Sequence, residues 1–177
     1  MPTSATLLTV EEFQKLPEST GNRRELHHGE MFELTAPKLR HWKLQKKLAD
    51  RLESALKPHG LVGGMEFAFR PAAEYEFWVA DVAFLTDMRF SSIDPDSNLS
   101  GSPDLVIEVE SPSNTAQEFA ERQDICLKTG CREFWVVFPK LQLITVTTEA
   151  GTHPQKKQDS IRLSIAPVSV PVREIFE

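Results

Sequence analysis

Three carboxylates interrupt runs of apolar, β-forming residues. Asp81 lies inside Val79-Ala80-Asp81-Val82-Ala83-Phe84-Leu85. Glu108 and Glu110 lie inside Asp104-Leu105-Val106-Ile107-Glu108-Val109-Glu110, which Asp104 opens. A carboxylate within a strand is costly to desolvate and needs a compensating partner. A divalent metal ion shared by the two strands is one such partner, and it would equip the chain to hydrolyse phosphodiesters. The plainer alternative leaves the acids at strand ends in water. Side chains two apart on a strand share a face. Asp104, Val106, Glu108 and Glu110 therefore line one side, and Leu105, Ile107 and Val109 the other. The second side suits a core. The first gathers three carboxylates, which repel and raise one another's pKa unless a cation intervenes. No Cys or His stands at useful spacing to these acids, so Mg2+ (or Mn2+) fits better than zinc.

The elements that must position these acids are legible as periodicity and punctuation. Thr9 and Glu12 have capping-box spacing and start a short helix that Pro17 closes. Arg24 to Leu34 reads as two short strands turning at His28-Gly29. Leu39 to Leu56 is the clearest helix, with Leu44, Leu48, Leu52, Ala55 and Leu56 mostly three and four apart, stopped by Pro58 and Gly60. This stretch and its edges carry Lys38, Arg40, Lys43, Lys46, Lys47, Arg51 and Lys57 against Asp50 and Glu53. That makes either a solubilising face or a phosphate-facing one. Strands follow at 60–70, with Gly63-Gly64 as a bulge, and at 77–85. Residues 86–103 form a Ser-, Asp- and Pro-rich loop with a short helical turn. After the strand at 104–110, Ser111-Pro112-Ser113 turns into a helix from Ala116 to Thr129, ended by Gly130. Strands are expected at 133–138 and 141–148, a loop at 151–158, and edge strands at 161–176 around Pro167 and Pro171. The connection 111–131 is long enough to join parallel strands. The order specifies an α/β fold with a central mixed β-sheet flanked by helices.

With 177 residues, the chain suits a single domain spanning 1–177. A net charge of -6 argues against a mainly electrostatic nucleic-acid binder. It leaves room for a nuclease, because an acidic metal pocket subtracts from the sum. Two cysteines, Cys126 and Cys131, are too few for a disulfide scaffold or a structural zinc site, so a reducing, cytoplasmic setting is expected. The first nine residues lack the basic flank and apolar run of a signal peptide, and no stretch is long and apolar enough for a membrane span. His27, His28, His41 and His59 are isolated or on turns, and a metal role for the His27-His28 pair is the lesser expectation. Trp42 and Trp135 read as packing residues rather than base-stacking platforms. The two thiols read as buried or idle, and Ser111-Pro112-Ser113 as a turn and cap rather than a nucleophile.

Four stretches together resemble a known family: Arg24-Glu25-Leu26-His27-His28-Gly29-Glu30, Val79 to Ala83, Pro103 to Ser113, and Gly130 to Val137. From Thr9 to Phe176 the chain is similar to the Uma2 family of the PD-(D/E)XK, restriction endonuclease-like superfamily. The resemblance implies a restriction endonuclease-like core and a Mg2+-dependent DNA endonuclease. It matches Asp81 and Glu108 to the metal-ligating acids, Asp104 to a recurrent aspartate that is a further candidate metal ligand, and Glu25 or Glu30 to an early acid that can complete the metal site. Ala80 stands where the family has proline, and Glu110 where the superfamily has lysine. Arg122 takes the place of a lysine in the following helix; it can grip phosphate but cannot act as a general base. The implied mechanism uses Mg2+ on Asp81, Glu108 and the Val109 carbonyl, Arg122 against transition-state charge, and Glu110 for a second ion or a water. DNA is the implied partner. A homodimer, the commonest closed assembly, would set two sites to cut both strands. The competing expectations are a catalytically impaired member that binds DNA or a protein partner, and an assembly protein with no nucleic-acid role.

Overall fold

The computed structural model describes residues 7–17, 23–72, 74–112 and 114–177. Residues 1–6 of the opening stretch and Ser113 of the expected turn lie outside the described residues. In chain order the elements are α1 (Val10–Gln14), β1 (Arg23–His27), β2 (Glu30–Leu34), α2 (Leu39–Leu56), β3 (Gly60–Arg70) and β4 (Trp78–Thr86). There follow α3 (Asp87–Phe90), β5 (Leu99–Ser100), β6 (Leu105–Val109), α4 (Ala116–Lys128) and β7 (Glu133–Phe138). The chain closes with β8 (Leu143–Thr148), β9 (Gly151–Lys156), β10 (Ser160–Arg162), β11 (Ser169–Pro171) and α5 (Arg173–Phe176).

Seven strands form the central sheet in the order β5-β3-β4-β6-β7-β8-β9. The sheet is mixed: β6 and β7 run parallel, joined by the α4 crossover, while β4 is antiparallel to both β3 and β6. Its two faces meet different helices. On one, Leu48, Leu52 and Leu56 of α2 pack on Val82, Phe84, Leu105, Ile107 and Val109. On the other, Cys126 of α4 packs with Ala83, Leu85, Val106, Phe134 and Val136. All five residues of β6 are buried, as a strand with both faces covered requires.

The local signals act as their chemistry dictates. Thr9 and Glu12 make a reciprocal capping box on α1, and Thr115 and Glu118 do the same on α4. The β1–β2 hairpin turns through His28 and Gly29, both at positive φ (51° and 80°), as a two-residue turn matching strand twist requires. The β3–β4 register shifts between Gly64 and Phe67. A Cβ on Gly63 would stand 2.6 Å from the Phe67 ring, so only glycine fits beside that irregularity.

Three expectations need correction. Residues 151–156 form β9 rather than a loop; its polar side chains are mostly exposed on both faces, so no alternation advertised the ladder that β8 provides. Residues 161–176 are not edge strands of the main sheet. They build the separate β10–β11 pair and α5, and bury Ile161, Leu163, Val170, Val172 and Ile175 in the core beneath α2. Trp135 is buried as expected, whereas Trp42 is 39% exposed. Among the described residues no helix is long and apolar enough to cross a membrane.

Candidate active site

The β4–β6 ladder runs from Phe84↔Leu105 to Val82↔Ile107 and is not continued at Asp81 and Glu108. Where the ladder ends, the Asp81 carboxylate takes the backbone hydrogen bond instead: Val109 N–H donates to Asp81 Oδ2 at 2.8 Å. Two α2 side chains complete its surroundings. The Gln45 amide donates to Asp81 Oδ1, and His41 Nε2 lies 3.2 Å from Oδ2. Glu108 is held from the other layer: Nη2 of Arg122, on α4, stands 3.1 Å from Glu108 Oε1. Asp81 is thus fixed from the α2 side and Glu108 from the α4 side.

Arg122 also bridges to β1. Its Nη1 donates to Glu25 Oε2 at 3.1 Å, and Nη2 reaches Val79 O at 3.4 Å. The guanidinium lies over the buried Trp78 ring, 5.0 Å from its centroid, a favourable place for a desolvated cation. Glu25 further accepts Val79 N–H at 2.9 Å and sits 2.7 Å from His27 Nε2. His27 in turn stacks on Trp78.

Two buried glutamates are driven in opposite directions. Burial works against ionisation of Glu25, but the charge of Arg122, then His27 and the Val79 N–H, outweigh it and bring its pKa down to about 2. Glu108 is raised to about 8. Burial is the main cause; Arg122 opposes it, and the charges of Asp81 and Glu25 add to it. Burial disfavours the Arg122 charge, yet Glu108 and Glu25 together raise its pKa further above the ordinary value. Among the described residues, Glu108 Oε1 and the buried Nε of Arg23 have no hydrogen-bond partner. The Glu108–Arg122 contact is close but not aligned as a hydrogen bond.

Residues 10–170 match the Uma2 family, whose description is "Putative restriction endonuclease". The chain belongs to the Uma2 family. A crystal structure described as a putative nuclease belonging to DUF820, from Anabaena variabilis ATCC 29413, is 21% identical. It superposes with a TM-score of 0.80 over 96% of this chain and 97% of that one, a likeness of fold. The restriction endonuclease-like core expected from the sequence is therefore present. No curated protein matches.

Within this Uma2 chain the expected site residues separate into those the fold brings together and those it does not. Glu25, Asp81, Glu108 and Arg122 converge, whereas Glu30, the alternative early acid, is exposed on β2. Asp104 is apart, contrary to the grouping by strand parity. It precedes β6, about 13 Å along the strand from Glu108. There Asp104 Oδ2 accepts Thr86 N–H at 2.9 Å, and Oδ1 lies 3.3 Å from Arg89 Nη1, bracing α3. Glu110 is apart as well: just past β6, it lines a cleft of about 270 Å³ with Asn114, Phe119, Gln123 and Phe138. Two α2 residues not expected there belong to the site: Gln45, and His41, which is neither isolated nor on a turn. Gln45 did carry a signal, because it occupies the apolar stripe of α2 beside Leu48 and Leu52 and is 1% exposed. A polar side chain there must find a partner.

Proposed function

We propose that this chain is a Mg2+-dependent endonuclease that hydrolyses phosphodiester bonds in DNA. The observation that carries the reading is Glu108: a buried carboxyl raised to about 8 beside the charge of Asp81, although the Arg122 guanidinium lies 3.1 Å from its Oε1 without an aligned hydrogen bond. A carboxyl so placed gains most from a cation. Among the described residues no three His, Cys, Asp or Glu side chains form a metal cluster. Mg2+ does not need one, since it binds through one or two carboxylates and keeps several waters. Asp81, Glu108 and the Val109 carbonyl would hold the ion, all hard oxygen donors. When bound, it would polarise the phosphate and lower the pKa of a water.

The chain's own groups would do the rest. Gln45, His41 and the Val109 N–H fix the Asp81 carboxylate, so its oxygens need little reorganisation. Arg122, permanently charged, would offset negative charge that builds on the phosphate oxygens, but it cannot take a proton from water. Glu25 keeps Arg122 in place through Nη1. The basic face of α2 would carry flanking phosphates.

A second reading is favoured by a specific observation. Arg122 stands between Glu25 and Glu108, and the residue two after Glu108 is Glu110 rather than lysine. That arrangement suits a member that has kept the fold and lost the chemistry, binding DNA or a protein partner. Supercoiled plasmid with Mg2+ or Mn2+ separates the two readings, run beside Asp81→Asn and Glu108→Gln. Nicking by the wild type alone is expected; equal background from all three proteins would sink the enzyme reading.

A further inference from the structure

The first two turns of α2 carry a surface that the site as described does not use. Of the three tryptophans, Trp78 and Trp135 are buried and Trp42 is 39% exposed, with Leu39 beside it at 65%. Trp42 directly follows His41 and precedes Gln45 by three residues, and both of these hold Asp81. Trp42 is not a fully buried core residue. The buried stripe of α2 runs through Gln45, Leu48, Leu52 and Leu56, and at 3.6 residues per turn Trp42 projects from the flank of that stripe. Phe32 on β2 is also exposed (46%), in a T-shaped contact with the His27 that contacts Glu25. Each exposed ring is thus next to a histidine that contacts a buried acid: Trp42 follows His41 in the chain, and Phe32 touches His27.

Cations occupy the same opening turns of the helix. Lys38, Arg40 and Lys43 are exposed, and among the described residues no ion pair holds them. The paired cations of α2 lie further along, Lys46 with Asp50 and Arg51 with Glu174. Lys38 also gives the helix no side-chain cap, so the positive end of an 18-residue helix adds to the same field. Aromatic faces among unpaired cations are the pattern that receives single-stranded nucleic acid: bases stack on the rings and the cations follow the phosphates. Bases within a duplex are already stacked and cannot use an indole face. A protein partner would have to bring carboxylates to match those cations, whereas a nucleic-acid strand carries a phosphate at every nucleotide.

We propose that Trp42 is a stacking platform for an unpaired base, so that the preferred substrate is single-stranded or frayed DNA. The word substrate rests on the endonuclease reading, whereas the binding preference does not. In EDTA, which prevents metal-dependent cleavage, tryptophan emission is followed as a short oligodeoxythymidylate or a duplex of equal length is added. Because Trp42 is the exposed tryptophan, saturable quenching by the single strand is expected, with less by the duplex. By anisotropy of a labelled strand, Trp42→Ala should weaken single-strand binding about tenfold and duplex binding by less than about twofold, with Trp42→Phe recovering most of the loss. Circular dichroism melting of both variants checks that they fold, and Trp42→Phe keeps the test informative if Trp42→Ala does not. The proposal is overturned if single and double strands lose affinity alike, if neither variant weakens the single strand, or if Trp42→Ala turns a dimer into a monomer in sedimentation. Plasmid assays in Mg2+ keep the two ideas apart. Cleavage without a single-strand preference leaves the nuclease reading and removes this one; a preference without cleavage does the reverse.

Discussion

Replacing Glu108 by glutamine should make the metal-free protein more stable, although the change touches the centre of the site. Glutamine keeps the shape of the carboxylic acid and its polarity but cannot ionise. In the folded chain the Glu108 pKa is raised from an ordinary 4.5 to about 8. The unfolded chain sheds this proton from about pH 4.5 upward, and the folded chain resists until about pH 8. Between those values each added pH unit favours unfolding of the wild type by about 1.4 kcal/mol, so the penalty at pH 7 is about 3 kcal/mol. Below about pH 4 both states are protonated and the penalty vanishes. Glu108→Gln should therefore match the wild type at low pH and exceed it increasingly toward pH 8. At neutral pH the gain is about 6–12 °C in melting temperature for a domain of this size. Calorimetric or fluorescence melts of both proteins in EDTA across pH 4 to about 8 measure it. A second arm adds Mg2+, which should raise the wild-type melting temperature and leave Glu108→Gln unmoved. A variant less stable than wild type at pH 7, or a difference that does not change with pH, would refute the reasoning. It would mean that the Arg122 ion pair outweighs the cost of burying the charge.

Three further outcomes are expected. Arg122→Lys exchanges a fork that spans Glu25 and Glu108 for a single ammonium, freeing one carboxylate. Melting temperature should fall, while Mg2+-dependent plasmid nicking should rise about tenfold or more, because lysine can exchange a proton and arginine cannot; unchanged nicking would remove Arg122 as the limit on catalysis. Asp104→Asn weakens the bracing of Thr86 and Arg89 and should cost about 1–3 kcal/mol in urea unfolding. Nicking per folded molecule should stay at the wild-type level, and a selective loss of activity would return Asp104 to the metal site. Cys126 and Cys131 are both buried, and burial pushes both thiols up, Cys131 to about 12. Ellman's reagent at pH 8 should find them unreactive until denaturant is added, and prompt labelling of the folded chain would contradict their placement.

Local signals carried much of this architecture because local chemistry decides it. Capping boxes at Thr9 and Thr115, the His28-Gly29 turn and the leucine spacing of α2 each act within a few residues. Asp81 and Glu108 stood out for a similar reason, since a carboxylate in an apolar strand is conspicuous wherever the strand lies. Strand parity, however, states which residues share a face and not how far apart they sit or what faces them. Asp104, Glu108 and Glu110 share parity yet meet Arg89, Arg122 and an apolar cleft respectively. Their fates depend on where α3 and α4 cross the sheet. The tertiary structure also decided that β4 and β6 stop pairing at Asp81, which gives that carboxylate a backbone N–H. It brought Gln45 and His41 from a helix some 36 and 40 residues earlier to hold it. Residue type had made Trp42 a packing residue, and the fold left it 39% exposed next to His41, because an apolar side chain in the sequence does not say which flank of its helix will be covered.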